Sequence, residues 1–250
     1  MDSFEQLLAE TVQELGERVG GSLDDERREY DATYPDSGNM LLGPVPAISD
    51  RAVDMIIAFE VTSEAVYEKC YRHPVWPQGN SGVTIAIGYD AGYVTAADFE
   101  SNWTALLDAD AVAKMQQVCG LTGPKAQQAL PGVSDVDVSF DAAHTVFRDI
   151  TLPRTTAKTV AALPGSSDLS PDCLGALVSL VYNRGASFSL DGDRYQEMRA
   201  IKADIANNNL QDVPAQLRSM KRLWAGNPSM AGLVRRRELE AVLFESGLAP

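Results

Sequence analysis

Apolar residues recur at three- and four-residue steps near the start of the chain: Phe4, Leu7, Leu8, Val12, Leu15 and Val19. Glu5, Glu10, Glu14 and Glu17 fall largely on the other side. That period predicts an amphipathic helix over 3–19, stopped by Gly20-Gly21-Ser22. The period is lost over 22–48, where charged and turn residues alternate around Asp36-Ser37-Gly38, Pro44 and Pro46. This reads as a linker or an arm wrapping a core. The division is placed near 45–50, giving an N-terminal helix and arm (1–48) and a main domain (49–250). Ser49 and Asp50 are capping residues for a helix from Arg51 to about Phe59, with Val53, Ile56 and Ile57 as its buried stripe.

After a turn region, His73-Pro74-Val75-Trp76-Pro77-Gln78-Gly79-Asn80, the period changes to two. In Gly82 to Tyr93, Val83, Ile85, Ile87 and Tyr89 alternate with Thr84, Ala86, Gly88 and Asp90. A strand would place the first set on an apolar face and Thr84 and Asp90 on the other, and Gly88 and Gly92 permit a hairpin bend that brings those two closer. Helical periods return from Thr95, a cap for a helix through Leu107, and continue near 109–118, 139–149, 154–163, 171–183, 193–207, 212–224 and 230–246. Ser170-Pro171 marks a start and Asn183-Arg184-Gly185 a stop. There is no internal repeat. The predicted class is α+β, mostly helical, with one small β-hairpin early in the main domain.

Composition narrows the functional classes. The chain has 250 residues, 45% of them hydrophobic, which suits a globular core rather than disorder. No apolar run approaches the length of a membrane-spanning helix, and the first residues lack a basic, apolar secretion signal. The net charge is −14, from 21 basic and 35 acidic residues. Residues 1–50 hold twelve acidic and three basic residues, whereas the last fifty hold five acidic and seven basic. Such acidity argues against nucleic acid as a partner. Two histidines far apart, His73 and His144, give no zinc spacing, and Cys70, Cys119 and Cys173 give no CxxC pair. No P-loop, dinucleotide fingerprint or GxSxG elbow is present, so no metal or cofactor is expected.

Glu60 is the first candidate for chemistry. It closes the apolar run Met55-Ile56-Ile57-Ala58-Phe59. Low-dielectric surroundings raise a carboxyl pKa, as a general acid near neutral pH requires. The alternative is a Glu at the solvated end of an amphipathic helix. For Thr84 and Asp90 the alternative is the polar face of a surface hairpin.

Taken in order, the blocks FEVTSEAVY (59–67), GVTIAIGYDAGY (82–93), ALVSLVYNRG (176–185) and GLVRRRELEAVL (232–243) resemble the phage-type lysozymes and the pesticin-like muramidases. The likeness covers roughly 50–246 and leaves the first 45 residues outside. It implies a lysozyme-like fold. It also implies a general acid at Glu60, a water-holding Thr at Thr84 and a second carboxylate at Asp90, six residues after the Thr as in the pesticin-like branch. The phage pattern, with an Asp between the Glu and the Thr, is absent, and Glu68 is the fallback in that interval. The implied reaction is hydrolysis of the β-1,4 bond between N-acetylmuramic acid and N-acetylglucosamine in peptidoglycan, with inversion.

Substrate-contact candidates are Trp76, in its Pro-rich loop, with Tyr89, Asn183 and Arg184. Structural salt bridges are the alternative for Arg184, Arg194 and Arg199. Arg235, Arg236 and Arg237 share one helix and are expected to include a structural pair. A catalytically silent module binding wall glycan or a protein partner is a second reading, and a lytic transglycosylase a third. The expected setting is a phage endolysin, or an effector with an immunity protein and a secretion-machine partner. In either case it would be made in the cytoplasm and act on the wall after release or delivery.

Overall fold

The computed structural model describes residues 3–16 and 45–249. Their packing divides them into two units, one formed by 3–16, 45–59 and 154–249, the other by 60–153. In chain order the helices are α1 (Ser3–Gly16), α2 (Asp50–Val61), α3 (Glu64–Cys70), α4 (Ala96–Trp103), α5 (Ala109–Gln116) and α6 (Pro124–Ala129). They continue as α7 (Phe140–Val146), α8 (Leu152–Ala162), α9 (Pro171–Arg184), α10 (Gln196–Ala206), α11 (Val213–Ser219) and α12 (Ala231–Leu248). The strands β1 (Thr84–Ile85) and β2 (Tyr89–Asp90) form an antiparallel hairpin. Mostly helical with one such hairpin among the described residues, the architecture agrees with the predicted class. Among the described residues no helix is long and apolar enough to cross a membrane.

The first unit is built around α9. Ser170 caps it by accepting the Cys173 N–H, Pro171 occupies its first turn, and Gly185 ends it at φ +70°. Every residue from Cys173 to Arg184 is buried. Gly175 is required by close approach, since a Cβ there would lie 2.3 Å from the Ala52 Cβ on α2. Ser49 starts α2 by accepting the Ala52 N–H, the capping role assigned to it.

α12 lies on α9 and carries a buried ionic group. Glu240, Arg236 and Arg237 are each at most 1% exposed. One Glu240 oxygen accepts from Arg237 Nη2 (2.7 Å) and from the Ser179 hydroxyl (2.7 Å). Arg236 donates to the Ser179 hydroxyl and carbonyl, both at 3.1 Å. Removing one partner of such a group strands a buried charge, at a cost of about 3–5 kcal/mol.

α1 packs against α12 within the first unit. Phe4 is fully buried, Thr11 is 1% exposed, and Leu7 and Leu8 pack on the same core. Ion pairs fix both ends, Glu5 with Arg51 (2.9 Å) and Glu14 with Arg235 (2.5 Å). The Arg51 guanidinium also lies 4.7 Å from the Phe4 ring centre and pairs with Asp172 at 2.8 Å. The apolar stripe was legible in the sequence, but its docking depends on a helix more than 200 residues away. The rest of the predicted helix, 17–19, and the linker over 22–44 lie outside the described residues.

The second unit has an aromatic core. Phe99 and Trp103 of α4 stack with centroids 5.9 Å apart, and Tyr89 meets both edge-on at 5.9 and 5.4 Å. Thr95 caps α4 in a reciprocal capping box with Asp98. A second tie joins the residues around α3 to the strap 136–138. Tyr67 donates to the Val138 carbonyl (3.0 Å), and Arg72 forks onto Asp137 with both bonds at 2.7 Å.

Phe4→Ala is expected to cost about 3 kcal/mol, seen as a lower urea midpoint at unchanged slope. A loss under about 0.5 kcal/mol would show that α1 is not part of the core. A second expectation concerns acid. Burial raises the carboxyl of Glu197 on α10, but hydrogen bonds from Arg222, Gln196 and a backbone N–H outweigh it and hold the group below the ordinary Glu value. Its stabilisation is present above the unfolded value, about 4.3, and is lost as pH falls through the lower folded one. Glu197→Gln should therefore lower the melting temperature at neutral pH, with a gap to wild type that closes in acid.

Candidate active site

Three sequence candidates, Glu60, Thr84 and Asp90, belong to the second unit. Glu60 is the penultimate residue of α2 and is half-buried. Its charge reaches Tyr71, whose phenol is raised first by burial and then by Cys70 and Glu60.

Thr84 and Asp90 are cross-strand partners, and Ile85 pairs with Tyr89. The main chain of Thr84 bonds outward to Val75, at 2.8 and 2.9 Å. The neighbouring rung is closed by Ala91 N–H donating to the Val83 carbonyl at 2.9 Å. Thr84 and Asp90 therefore form a pair without mutual backbone bonds, the kind in which Cα atoms approach to about 4.5 Å and side chains lie closest. Both side chains leave the same face of the hairpin. The bend between them uses Ala86 at φ +55° and Gly88 at φ +71°.

The Asp90 carboxylate has a second role in the geometry. Its Oδ1 accepts the Gly82 N–H (3.0 Å) and the Gly92 N–H (2.9 Å), and Oδ2 lies 3.2 Å from the Gly82 nitrogen. It clamps the two ends of the hairpin together. The clamp needs bare backbone: a Cβ on Gly82 would fall 2.3 Å from Asp90 Oδ1 and from the Gly92 nitrogen. A Cβ on Gly92 would fall 2.7 Å from the Gly82 Cα and 2.8 Å from the Leu121 carbonyl oxygen. Gly82 also bridges to Thr122, while Ala91 and Ser81 accept the amides of Gly120 and Gly123. The segment 120–123 thus covers the hairpin, and residues 81–87 are all buried. In place of the alternative, a polar face on a surface hairpin, there is one polar pair in a covered hairpin, Thr84 being 6% exposed.

The remaining candidates fare differently. Trp76 is half-buried and donates its indole N–H to the Ser81 carbonyl at 3.0 Å. Tyr89 is 5% exposed inside the aromatic core, with its hydroxyl accepting from Asn102 Nδ2 (2.9 Å). As a sugar-contact residue it is corrected, because the period-two pattern that made it apolar also turned it inward. Asn183 and Arg184 lie in the first unit, 5% and 1% exposed. Arg184 donates to the Arg194 carbonyl (2.9 Å) and its guanidinium lies over the rings of Tyr195 and Trp224, which favours its structural alternative.

Glu68, the fallback carboxylate, pairs with Arg72 (2.6 Å) and accepts the Phe140 N–H at the start of α7 (3.1 Å). Those bonds give it a structural task. Two of the thiols are held protonated: burial, followed by the Asp98 charge, pushes Cys119 up to about 11, and burial also raises Cys173. Sequence reasoning gave Gly92 a part in the bend, and missed both the clamp it forms with Gly82 and the bridge to Thr122. The only local signal was glycine eight residues before and two residues after Asp90.

No protein-family model matches the chain, and no curated protein matches it significantly.

Asp90→Ala removes the acceptor for two amides and is expected to destabilise by about 2–3 kcal/mol. Asp90→Asn keeps an acceptor oxygen and should stay within about 1 kcal/mol of wild type. Urea unfolding followed by aromatic fluorescence checks both. Equal stability of Asp90→Ala and wild type would remove the clamp from the account.

Proposed function

We propose that this protein is a peptidoglycan muramidase of lysozyme-like fold, cleaving the β-1,4 bond between N-acetylmuramic acid and N-acetylglucosamine. The observation that carries the reading is the pairing of Thr84 with Asp90 on one hairpin face, in the same unit as Glu60 at a helix end. The order of the four sequence blocks supports it.

In this reading protonated Glu60 gives its proton to the glycosidic oxygen as the bond breaks. A water held by the Thr84 hydroxyl and the Asp90 carboxylate attacks the anomeric carbon. Asp90 accepts the water's proton and its charge stabilises the oxocarbenium-like transition state. Inversion requires room for that water, with carboxyl groups about 6.5–9.5 Å apart. The clamp is compatible with this role because backbone donors fix the orientation of the carboxylate without consuming its charge.

The same bonds favour a second reading. With Asp90 already engaged by Gly82 and Gly92, it serves as a structural staple in a catalytically silent module that binds wall glycan or a protein partner.

Purified peptidoglycan separates the two. The muramidase releases muropeptides with reducing ends, and Glu60→Gln lowers the rate by about 10²–10⁴-fold while leaving the melting temperature in place. No release by the wild-type protein would overturn the enzymatic reading. Anhydro-muramic ends in the product masses would replace hydrolysis by transglycosylation.

A further inference from the structure

The chain leaves Glu60 through a strained turn. α2 ends at Val61, and Ser63 caps α3 by accepting the Val66 N–H. Thr62, between them, has φ +66°. The Ser63 N–H donates to the Val61 carbonyl at 2.7 Å, closing a γ-turn centred on Thr62. With a positive central φ this is the rare, strained form of that turn. A β-branched residue is among the least suited to the left-handed region.

Both sides hold the turn in place. Val61 is 2% exposed, and the Ser63 carbonyl accepts the N–H of Tyr67 at 2.8 Å. Tyr67 is fully buried and donates its hydroxyl to the Val138 carbonyl. One residue is left in which to pass from the end of one helix to the cap of the next.

Strain of this kind is not spread evenly. Four non-glycine residues among those described have positive φ: Thr62, Gln78, Ala86 and Asn208. Asparagine tolerates the region, so Asn208 needs no special account. The other three lie in the second unit, each beside part of the candidate site. Thr62 follows Glu60 by two residues, and Ala86 sits in the bend between Thr84 and Asp90. Gln78 accepts the N–H of Ser81, the neighbour of the clamped Gly82. Such strain persists only where the surroundings over-determine it, and it gathers at sites whose geometry it sets.

We propose that Thr62 is a positioning residue: its strained turn fixes the end of α2 and so holds the Glu60 carboxyl in one place for proton transfer. This role rests on the muramidase reading, which gives Glu60 its task. Threonine in this conformation has little freedom, whereas a glycine takes either sign of φ at little cost. Thr62→Gly therefore relieves the fold and lets the Glu60 end of the helix shift. Misplacing a reacting group by about 1 Å can cost about 10²-fold in rate. Stability and rate move in opposite directions.

The test compares full-length wild type, Thr62→Gly and Thr62→Val on soluble peptidoglycan strands, reading the reducing ends released, alongside melting curves. Thr62→Gly should melt at or above wild type, by up to about 4 °C. Its kcat should fall about tenfold or more while KM stays within about twofold. Thr62→Val keeps the β-branch and loses the hydroxyl, and its kcat should stay within about twofold of wild type.

A turn with a purely structural task would give Thr62→Gly the wild-type rate, and that outcome overturns the role. A lower melting temperature for Thr62→Gly also overturns it, by showing that no strain was relieved. Loss of rate in folded Thr62→Val does the same, by handing the task to the hydroxyl. No release by the wild type removes the muramidase and this role together. Release by the wild type with an unchanged rate in Thr62→Gly removes this role alone.

Discussion

The geometry of the candidate site depends on one carboxylate oxygen. Asp90 Oδ1 accepts two backbone N–H groups from residues that flank the hairpin, and this sets where the chain enters and leaves. Two glycines are needed because the backbones approach more closely than any Cβ allows. From that closure follow the register that places Thr84 opposite Asp90 and the bridge from Gly82 to Thr122. The strands are only two residues long, too short to hold a register by ladder bonds alone. A side chain therefore performs the fixing that a longer sheet would do with its backbone. In the proposed muramidase reaction, the residue assigned to the water is also the one that closes the hairpin.

The first unit relies on a different device, charge buried in an apolar setting. Arg236, Arg237, Glu240 and Ser179 share their bonds where water does not reach. The acidity of the first fifty residues also acquires a local meaning. Glu5 and Glu14 of α1 face Arg51 and Arg235, so part of the negative charge is matched within the fold. The acidic helix is thereby a packing element, with its outward residues on the solvent side.

Periodicity and capping chemistry located most of the helices, because those signals are local. Ser49, Thr95 and Ser170 each accept the amide that their position implied. The short helices α3 and α6 went unread, since six or seven residues give too little period and Pro124 opens α6 as readily as it would end a turn. The hairpin was legible as an alternation, and Thr84 with Asp90 as a same-face pair. Its burial on both sides was not, because the cover comes from 120–123, which carries no mark of that purpose. Tyr89 follows the pattern inward: apolar alternation signalled the core, and its ring lies there at 5% exposure. The docking of α1 was invisible for a similar reason, since a stripe announces that a helix will be covered and not by what.

The contact between Glu14 and Arg235 spans 221 positions, and the unit it closes is discontinuous. The described residues of the second unit run from 60 to 153, so the contacts among them are available once that stretch has been synthesised. Without α12 the first unit lacks the partner of α1 and all three charged residues of its buried ionic group. Synthesis from the N-terminus therefore imposes an order. The segment bearing Thr84 and Asp90 is made before α12, whereas Phe4 waits for α12 before its core is closed. Long-range closure of this kind slows folding and leaves an apolar helix exposed meanwhile. On the nascent chain, α1 is made before the other helices of its unit and is among the last of them to be buried.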